Sequence, residues 1–495
     1  MMQASDYQEY DALGLAGLVR SGQATAQELL RAARERLEAV NPTLNAVICP
    51  MDSLADKLAA KMDTSAPFCG VPFLVKDLML PFSDYPMSNG SNAMKSYVPD
   101  TNSPTADRIL QSGFVVFGKT NTSERGASSI TAPDAFGETR NPWDPRLNSG
   151  GSSGGSSAAV AARVVPMAYS SDGGGSIRFP ASYCGIFGYK PSRGLNRFED
   201  FSKSWGGAVV SHVSTLSVRD SAAYLDAVTG KTDTNYSTAN PPPDSYLYAA
   251  TQTPSPLKIG LITESPIGSP VHIDCVAAAE NAAKCCEKLG HHVEATAWNF
   301  DGKELMRAFL TIVFQYTSRD VAAMAALLAT PESQIDIELN TRFMSVVGAG
   351  ISPERVEWAL GIWKLAAEHM SKLHKQYDVL LTPAVATPPL TSGALDPSGV
   401  ERVLMRLLIA TGLGKKIGTD GFLDSVIEKS LYQTPFTPIA NMTGQPAMSV
   451  PLYWDRNNLP HGAHFMAAEA NDKLLFQLAA QLEAEYPWRN LAPII

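Results

Sequence analysis

The stretch Asn148–Pro180, NSGGSSGGSSAAVAARVVPMAYSSDGGGSIRFP, decides how the rest of the chain is read. Two glycine–serine clusters, Gly150–Ser157 and Gly173–Ser176, bracket a helical run of small residues. Glycine lets a backbone turn sharply and lets another group come close to it. A serine at the lip of such a turn, beside consecutive backbone N–H groups, is arranged for nucleophilic acyl transfer. Ser176 is therefore read as a nucleophile whose proton leaves through Ser152 to Lys76, in the earlier stretch GVPFLVKDLM. Taken alone, either cluster is more often a flexible turn than a site. Context argues for the site: AAVAA follows the first cluster and Ile-Arg-Phe-Pro the second, with no further low-complexity sequence.

Composition sets the outer limits. The chain has 495 residues, 45% of them hydrophobic and 18% charged, ordinary values for a globular enzyme with a large core. A formal charge of −9 with no lysine- or arginine-rich patch argues against nucleic acid or an anionic membrane as partner. A small molecule fits better. No apolar run approaches the ~18 residues of a membrane span, and the acidic N-terminal stretch has no signal-peptide core. The six cysteines show no C-x-x-C spacing, so reduced thiols in a cytoplasmic protein are expected. No His/Cys/Asp cluster suggests a metal, and no cofactor is expected.

Along the chain, strand and helix signals alternate, which predicts α/β architecture. Asp11–Ser21 reads as a helix ended by Gly22, and Thr25-Ala-Gln-Glu28 as a capping box opening a second helix to about Val40, stopped by Asn41-Pro42. Val71–Val75 is a short apolar strand delivering Lys76, and Phe114–Phe117 another. Ser221–Val228 reads as a helix with Ser221 as N-cap. Leu257–Ile262, Val293 and Asp378–Pro383 mark further strands, with helices over Asp274–Leu289, Trp358–Lys372 and Asp472–Glu483. The run Val321–Ala329 reads as a core helix. Residues 386–434, rich in Pro, Gly and Ser before a helical part, read as a variable, lid-like region on one large domain spanning 1–495.

Two bases compete for the serine chemistry. Gly150-Gly-Ser-Ser-Gly154 also satisfies the G-x-S-x-G elbow, which needs a β-strand just before it and a later histidine. Asn141-Pro-Trp-Asp-Pro145 cannot be a central strand, and the late histidines His461 and His464 read as part of a polar turn. Lysine can serve instead if it is neutral. Burial lowers its reference pKa of ~10.4, because desolvation disfavours the charged form. A lone lysine beside Asp77 reads first as a surface ion pair. In company with both serine clusters, Lys76 reads as the base.

These motifs together resemble the amidase signature family. The similarity lies in GVPFLVKD (70–77), GKTNTSE (118–124), NPWDPRLNSGGSSGGSSAAVAA (141–162) and SDGGGSIRFPASYCGIFGYKPSRG (171–194). DVLLTPA (378–384) and NMTGQPAMSVPL (441–452) extend it over nearly the whole chain. The resemblance implies one large mixed central β-sheet covered by helices on both sides, and a Ser–cis-Ser–Lys triad made of Ser176, Ser152 (after a cis peptide) and Lys76. It also implies an oxyanion hole from the N–H groups of Gly173, Gly174, Gly175 and Ser176, with Asp172 and Arg178 as a structural ion pair and Ser153 in support. Two departures stand out: Gly173 replaces the usual Thr or Ile, and Ser214-Thr215 replaces a usual Gly-Pro. GETRNPW (137–143) and LEAEYPW (482–488) are similar to bacterial amidases of the aryl acylamidase and 6-aminohexanoate cyclic dimer hydrolase type. The implied function is hydrolysis of small apolar, aryl or aliphatic secondary amides. Carbamate (urethane) or ester hydrolysis on the same triad, or the A subunit of a tRNA-dependent amidotransferase, are the alternatives; Phe179 stands where that subunit usually has Gln. Trp205, Phe82 and Tyr85 are candidate pocket aromatics, and a homodimer is an open possibility.

Overall fold

The computed structural model describes residues 4–196, 204–230 and 237–495. Eleven strands form one sheet: β1 (Val47–Pro50), β2 (Pro72–Lys76), β3 (Val115–Thr120), β4 (Met167–Asp172), β5 (Phe187–Lys190), β6 (Val210–Thr215), β7 (Lys258–Leu261), β8 (His292–Ala295), β9 (Val379–Pro383), β10 (Ala447–Trp454) and β11 (Pro460–Ala467). Their spatial order is β1-β3-β2-β4-β6-β5-β10-β11-β9-β7-β8. Parallel pairs (β3 with β2, β2 with β4, β9 with β7, β7 with β8) flank an antiparallel centre, so the sheet is mixed, as the resemblance implies.

The two faces of this sheet bury different cores. Along β9, Val379 and Leu381 join one apolar cluster while Leu380 joins the other. On β11, Phe465 and Ala467 go one way and Met466 goes the opposite way. That alternation is the period-two geometry of a strand packed on both sides. Helices Gly302–Leu327 and Pro353–Leu373 fill the second cluster. Helices Ala12–Arg20, Ala26–Leu44 and Asp472–Glu485 fill the first.

β2 is wholly buried and reads Pro-Phe-Leu-Val-Lys, the continuous apolar run expected of a parallel strand covered on both faces. Lys76 ends it, and Asp172 ends the parallel β4 at the same edge. The chain reaches β4 through the helix Gly154–Ala161, every residue of which is buried. The serine loop before that helix and the glycine loop after β4 are thus brought to the carboxyl ends of two parallel strands, where open α/β sheets collect ligands.

Several local readings hold and several are corrected. Asp11 caps the first helix, and the Thr25–Glu28 capping box forms in both directions. The second helix does not stop at Asn41-Pro42 but runs to Leu44. Its last turn tolerates the proline, and Asn41 Oδ1 accepts the N–H groups of Ala46 and Val47. The N-cap of helix Val218–Val228 is Ser217, while Ser221 lies inside it and pairs with His212 at 2.7 Å. His461 and His464 lie buried on β11, not in a turn. The core helix read at Val321–Ala329 is the end of the much longer Gly302–Leu327. All six cysteines are free, five of them buried. Among the described residues no helix is long and apolar enough to cross a membrane.

Gly155 shows how tightly the serine loop is seated. A Cβ there would lie 2.5 Å from Asn121 N and 2.6 Å from Ala46 O, both backbone atoms that cannot yield. Gly155→Ala is expected to lower stability by about 1–3 kcal/mol through overpacking, measured as a drop in the urea unfolding midpoint.

Candidate active site

Lys76 projects from the end of β2 into a shell of oxygen atoms. Its Nζ lies 2.7 Å from Ser152 Oγ, 2.9 Å from Ser153 Oγ and 3.0 Å from Ser171 Oγ, with Ser171 O at 3.4 Å. Ser153 Oγ in turn donates to Ser171 O at 3.1 Å. The amine is wholly buried, and among the described residues no carboxylate touches it. Burial pushes its pKa down to about 7, against the weaker opposing pull of Asp172. The neighbouring Asp77 points to the other side of the strand, 3.5 Å from Lys119 Nζ, and accepts from the Ser88 hydroxyl. The expected Lys76–Asp77 rivalry is resolved by strand alternation.

Ser152 follows a cis peptide with Gly151. Its hydroxyl also faces Gly126, where a Cβ would come within 3.2 Å of it. Ser176 is one loop away: its carbonyl accepts the Ser153 N–H at 3.3 Å. The Ser176 hydroxyl bonds to no described residue and retains some solvent exposure, unlike Ser153. The structure therefore joins Lys76, Ser152 and Ser153 directly, and it brings Ser176 beside them by its backbone.

Asp172 organises the glycine loop. Its carboxylate accepts Gly175 N–H at 2.6 Å, Ile177 N–H at 3.2 Å, Arg178 Nε and Nη2 each at 3.0 Å, and Asn441 Nδ2 at 2.8 Å. Burial alone would raise the carboxyl pKa, but Arg178 and these donors hold it well below the usual range. Gly175 has φ +123, and a Cβ there would sit 2.1 Å from Thr437 Oγ1, so only glycine fits. One expectation is narrowed. The Gly175 N–H is already committed to Asp172, which leaves the N–H groups of Gly173, Gly174 and Ser176 unpaired among the described residues. Thr437 Oγ1 steadies the loop from outside by donating to Gly174 O at 2.8 Å.

The Amidase family model matches residues 28–476. The chain belongs to the amidase signature family. This amidase is 33% identical over 486 residues to the 6-aminohexanoate-cyclic-dimer hydrolase of Pseudomonas sp. (strain NK87), covering 97% of this chain and 95% of that protein. It is 34% identical over 484 residues to the lipoamidase of Enterococcus faecalis, covering 97% of this chain and 64% of that longer protein. The solved structure of a 6-aminohexanoate cyclic dimer hydrolase complexed with substrate matches with a TM-score of 0.87 at 32% identity, over 99% of each chain. A bacterial aryl acylamidase shares the fold, with a TM-score of 0.81 at 24% identity over 97% of each chain. The amidase is thus a hydrolase of amide bonds.

Several residues at the site were not singled out by sequence. Ser171 contributes two of the oxygens around Lys76, and it lies inside the quoted motif SDGGGS. Asn441, inside NMTGQPAM, binds Asp172 and Arg178 together. His464 sits 2.9 Å from Arg178 Nη1, its pKa held well below the usual value by burial and by that guanidinium. By sequence it reads only as a late histidine in a polar turn, not as a partner of Arg178. Of the candidate aromatics, Trp205 lies against the glycine loop. Phe82 and Tyr85 do not line it: both pack with the main core, and the Tyr85 hydroxyl accepts Leu54 N–H at 2.9 Å.

Arg178→Met is expected to leave a buried, unpaired carboxylate at Asp172 and to cost about 3–5 kcal/mol. Urea unfolding followed by circular dichroism checks it, and Asp172→Asn/Arg178→Met in one chain should recover part of the loss.

Proposed function

We propose that this amidase cleaves small apolar aryl or aliphatic secondary amides through an acyl-enzyme on Ser176, with Ser152 relaying protons to Lys76. The observation that carries the reading is a buried amine, with a pKa near 7, contacting serine oxygens and, among the described residues, no carboxylate. A neutral amine has a lone pair to accept the Ser152 hydroxyl proton and two N–H groups for Ser153 and Ser171. As Ser176 Oγ attacks the amide carbonyl, its proton passes to Ser152 Oγ, and that of Ser152 passes to Lys76 Nζ. The tetrahedral oxyanion is received by the free amides of Gly173, Gly174 and Ser176, each such donor being worth roughly 3–4 kcal/mol. The C–N bond breaks as the relay runs backwards to protonate the leaving nitrogen. Water then enters along the same route, and the carboxylic acid leaves.

The unpaired Ser176 hydroxyl is compatible with this order, because catalytic hydrogen bonds often tighten only when substrate is bound. The substrate class follows the 6-aminohexanoate hydrolase likeness and the aromatic surroundings of the glycine loop. Within the same reading, residues 386–434 form a variable cover on a single domain, and the enzyme needs no cofactor.

Ser176→Ala should reduce turnover of a responsive anilide by about 10⁴-fold or more, with an unchanged circular dichroism spectrum. Retained turnover would reject the nucleophile. Because the neutral amine is the active form and burial sets its pKa near 7, kcat/KM should rise about tenfold per pH unit below that value. It should then level off above it, in a pH–rate profile on the same substrate. A panel of anilides, aliphatic amides, carbamates and esters separates the substrate classes.

A further inference from the structure

Gly173 is a glycine for reasons of space, not of backbone. It is absent from the residues with left-handed φ, so a side chain would meet no conformational penalty there. What a Cβ would meet is the indole of Trp205, at 3.0 and 3.1 Å, and Val209 Cγ2 at 3.2 Å. Next along the loop, a Cβ on Gly174 would lie 2.9 Å from Phe309 Cζ. The two rings meet edge to face, with centroids 6.2 Å apart and planes at 75°. Trp205 keeps a left-handed backbone, φ 50 and ψ 47, a conformation rare for a bulky residue and persistent only where the surroundings fix it. The fixing bonds are present: Ala208 N–H donates to Trp205 O at 3.1 Å, and Ala208 O accepts Asn441 Nδ2 at 3.0 Å. That same Nδ2 binds the Asp172 carboxylate, so the segment holding the indole and the glycine loop are tied to one amide.

We propose that the Trp205 indole, backed by Phe309, is the apolar wall of the substrate site at the oxyanion loop, and that Gly173 and Trp205 are a matched pair, the glycine leaving room for the ring. The wall selects amides whose substituent next to the reacting carbon is a straight apolar chain or a flat ring. This rests on acyl transfer at Ser176. Trp205 is half-buried: its ring approaches Gly173 and packs against the second apolar cluster, and the residue keeps part of its surface accessible.

The test compares two substrate series, N-acyl anilides from acetyl to hexanoyl and acetamides from N-methyl to N-hexyl. Wild type, Trp205→Ala, Trp205→Phe, Gly173→Ala and Gly173→Ala/Trp205→Ala are assayed on both. Trp205→Ala should lower the kcat/KM ratio of the longest to the shortest member at least tenfold in one series, mainly through KM. Trp205→Phe should recover part of that preference. Gly173→Ala should cost more than tenfold in the wild type and less than threefold when Trp205 is already Ala. An unchanged chain-length ratio in both series overturns the wall. An equal Gly173→Ala penalty in the two backgrounds overturns the matched pair. Full activity in Ser176→Ala would instead overturn the acyl-enzyme reading, and the coupling between positions 173 and 205 would still be measured.

Discussion

A buried amine with no acid of the described residues against it is the constraint from which the rest of the site follows. Among the described residues two other lysines, Lys119 and Lys190, are as deeply buried, and both are treated differently. Lys119, on the neighbouring strand, has Asp77 within 3.5 Å and donates to Pro86 O. Lys190, also lowered to about 7 chiefly by burial, donates to Pro191 O and faces no serine hydroxyl. Among the described residues, only Lys76 has three hydroxyls around it. Desolvation lowers its proton affinity, and the hydroxyls offer groups through which a proton can move. Neither would suffice alone. A solvated lysine would stay charged, and a dry one without hydroxyls would have nothing to accept from.

Keeping that amine dry requires the fold around it. β2 must be covered on both faces, which accounts for its unbroken Phe-Leu-Val run, and the serine loop must seat against backbone with no side chain between them. On the other side, Asp172 accepts the N–H groups of Gly175 and Ile177, while those of Gly173, Gly174 and Ser176 have no partner among the described residues. A buried carboxylate would be costly unpaired; Arg178 and Asn441 compensate it, and His464 occupies a remaining donor of Arg178. The polar network is closed on itself, so its geometry is set before any substrate arrives.

Much of this was legible in the chain, because the chemistry needs glycine, serine and lysine in a dense, unusual pattern. The capping box at Thr25 and the strand ending at Lys76 could be read from neighbours alone. What escaped depends on partners far along the sequence. Nothing near His464 says that it meets Arg178, and nothing near Tyr85 says that its hydroxyl serves Leu54. The commitment of Gly175 N–H was hidden because four successive glycine-loop amides look alike until Asp172 chooses among them. Pro42 misled because proline usually ends a helix; here it lies in the last turn, and the helix ends at the left-handed Asn45, whose N–H donates to Asn41 O. Ser221 reads as the cap from its type alone; in the folded chain Ser217 accepts the Asp220 N–H and Ser221 lies inside the helix.

The segment from 386 to 434 leaves and rejoins the body at nearly one point. Ala386 N–H donates to Gln433 O at 2.7 Å, while Leu390 O takes Asn148 N–H at 2.8 Å, at the threshold of the serine loop. Between these anchors lies the helix Gly399–Thr411, none of whose residues is fully buried. A stretch whose ends already touch pays little extra loop-closure entropy for added length, because that cost grows only with the logarithm of size. Chain closure therefore constrains the length of its outer part only weakly, while Leu423 and Ile427, buried in the second apolar cluster, and Asp424, paired with Arg307 at 2.6 Å, hold its far end to the body.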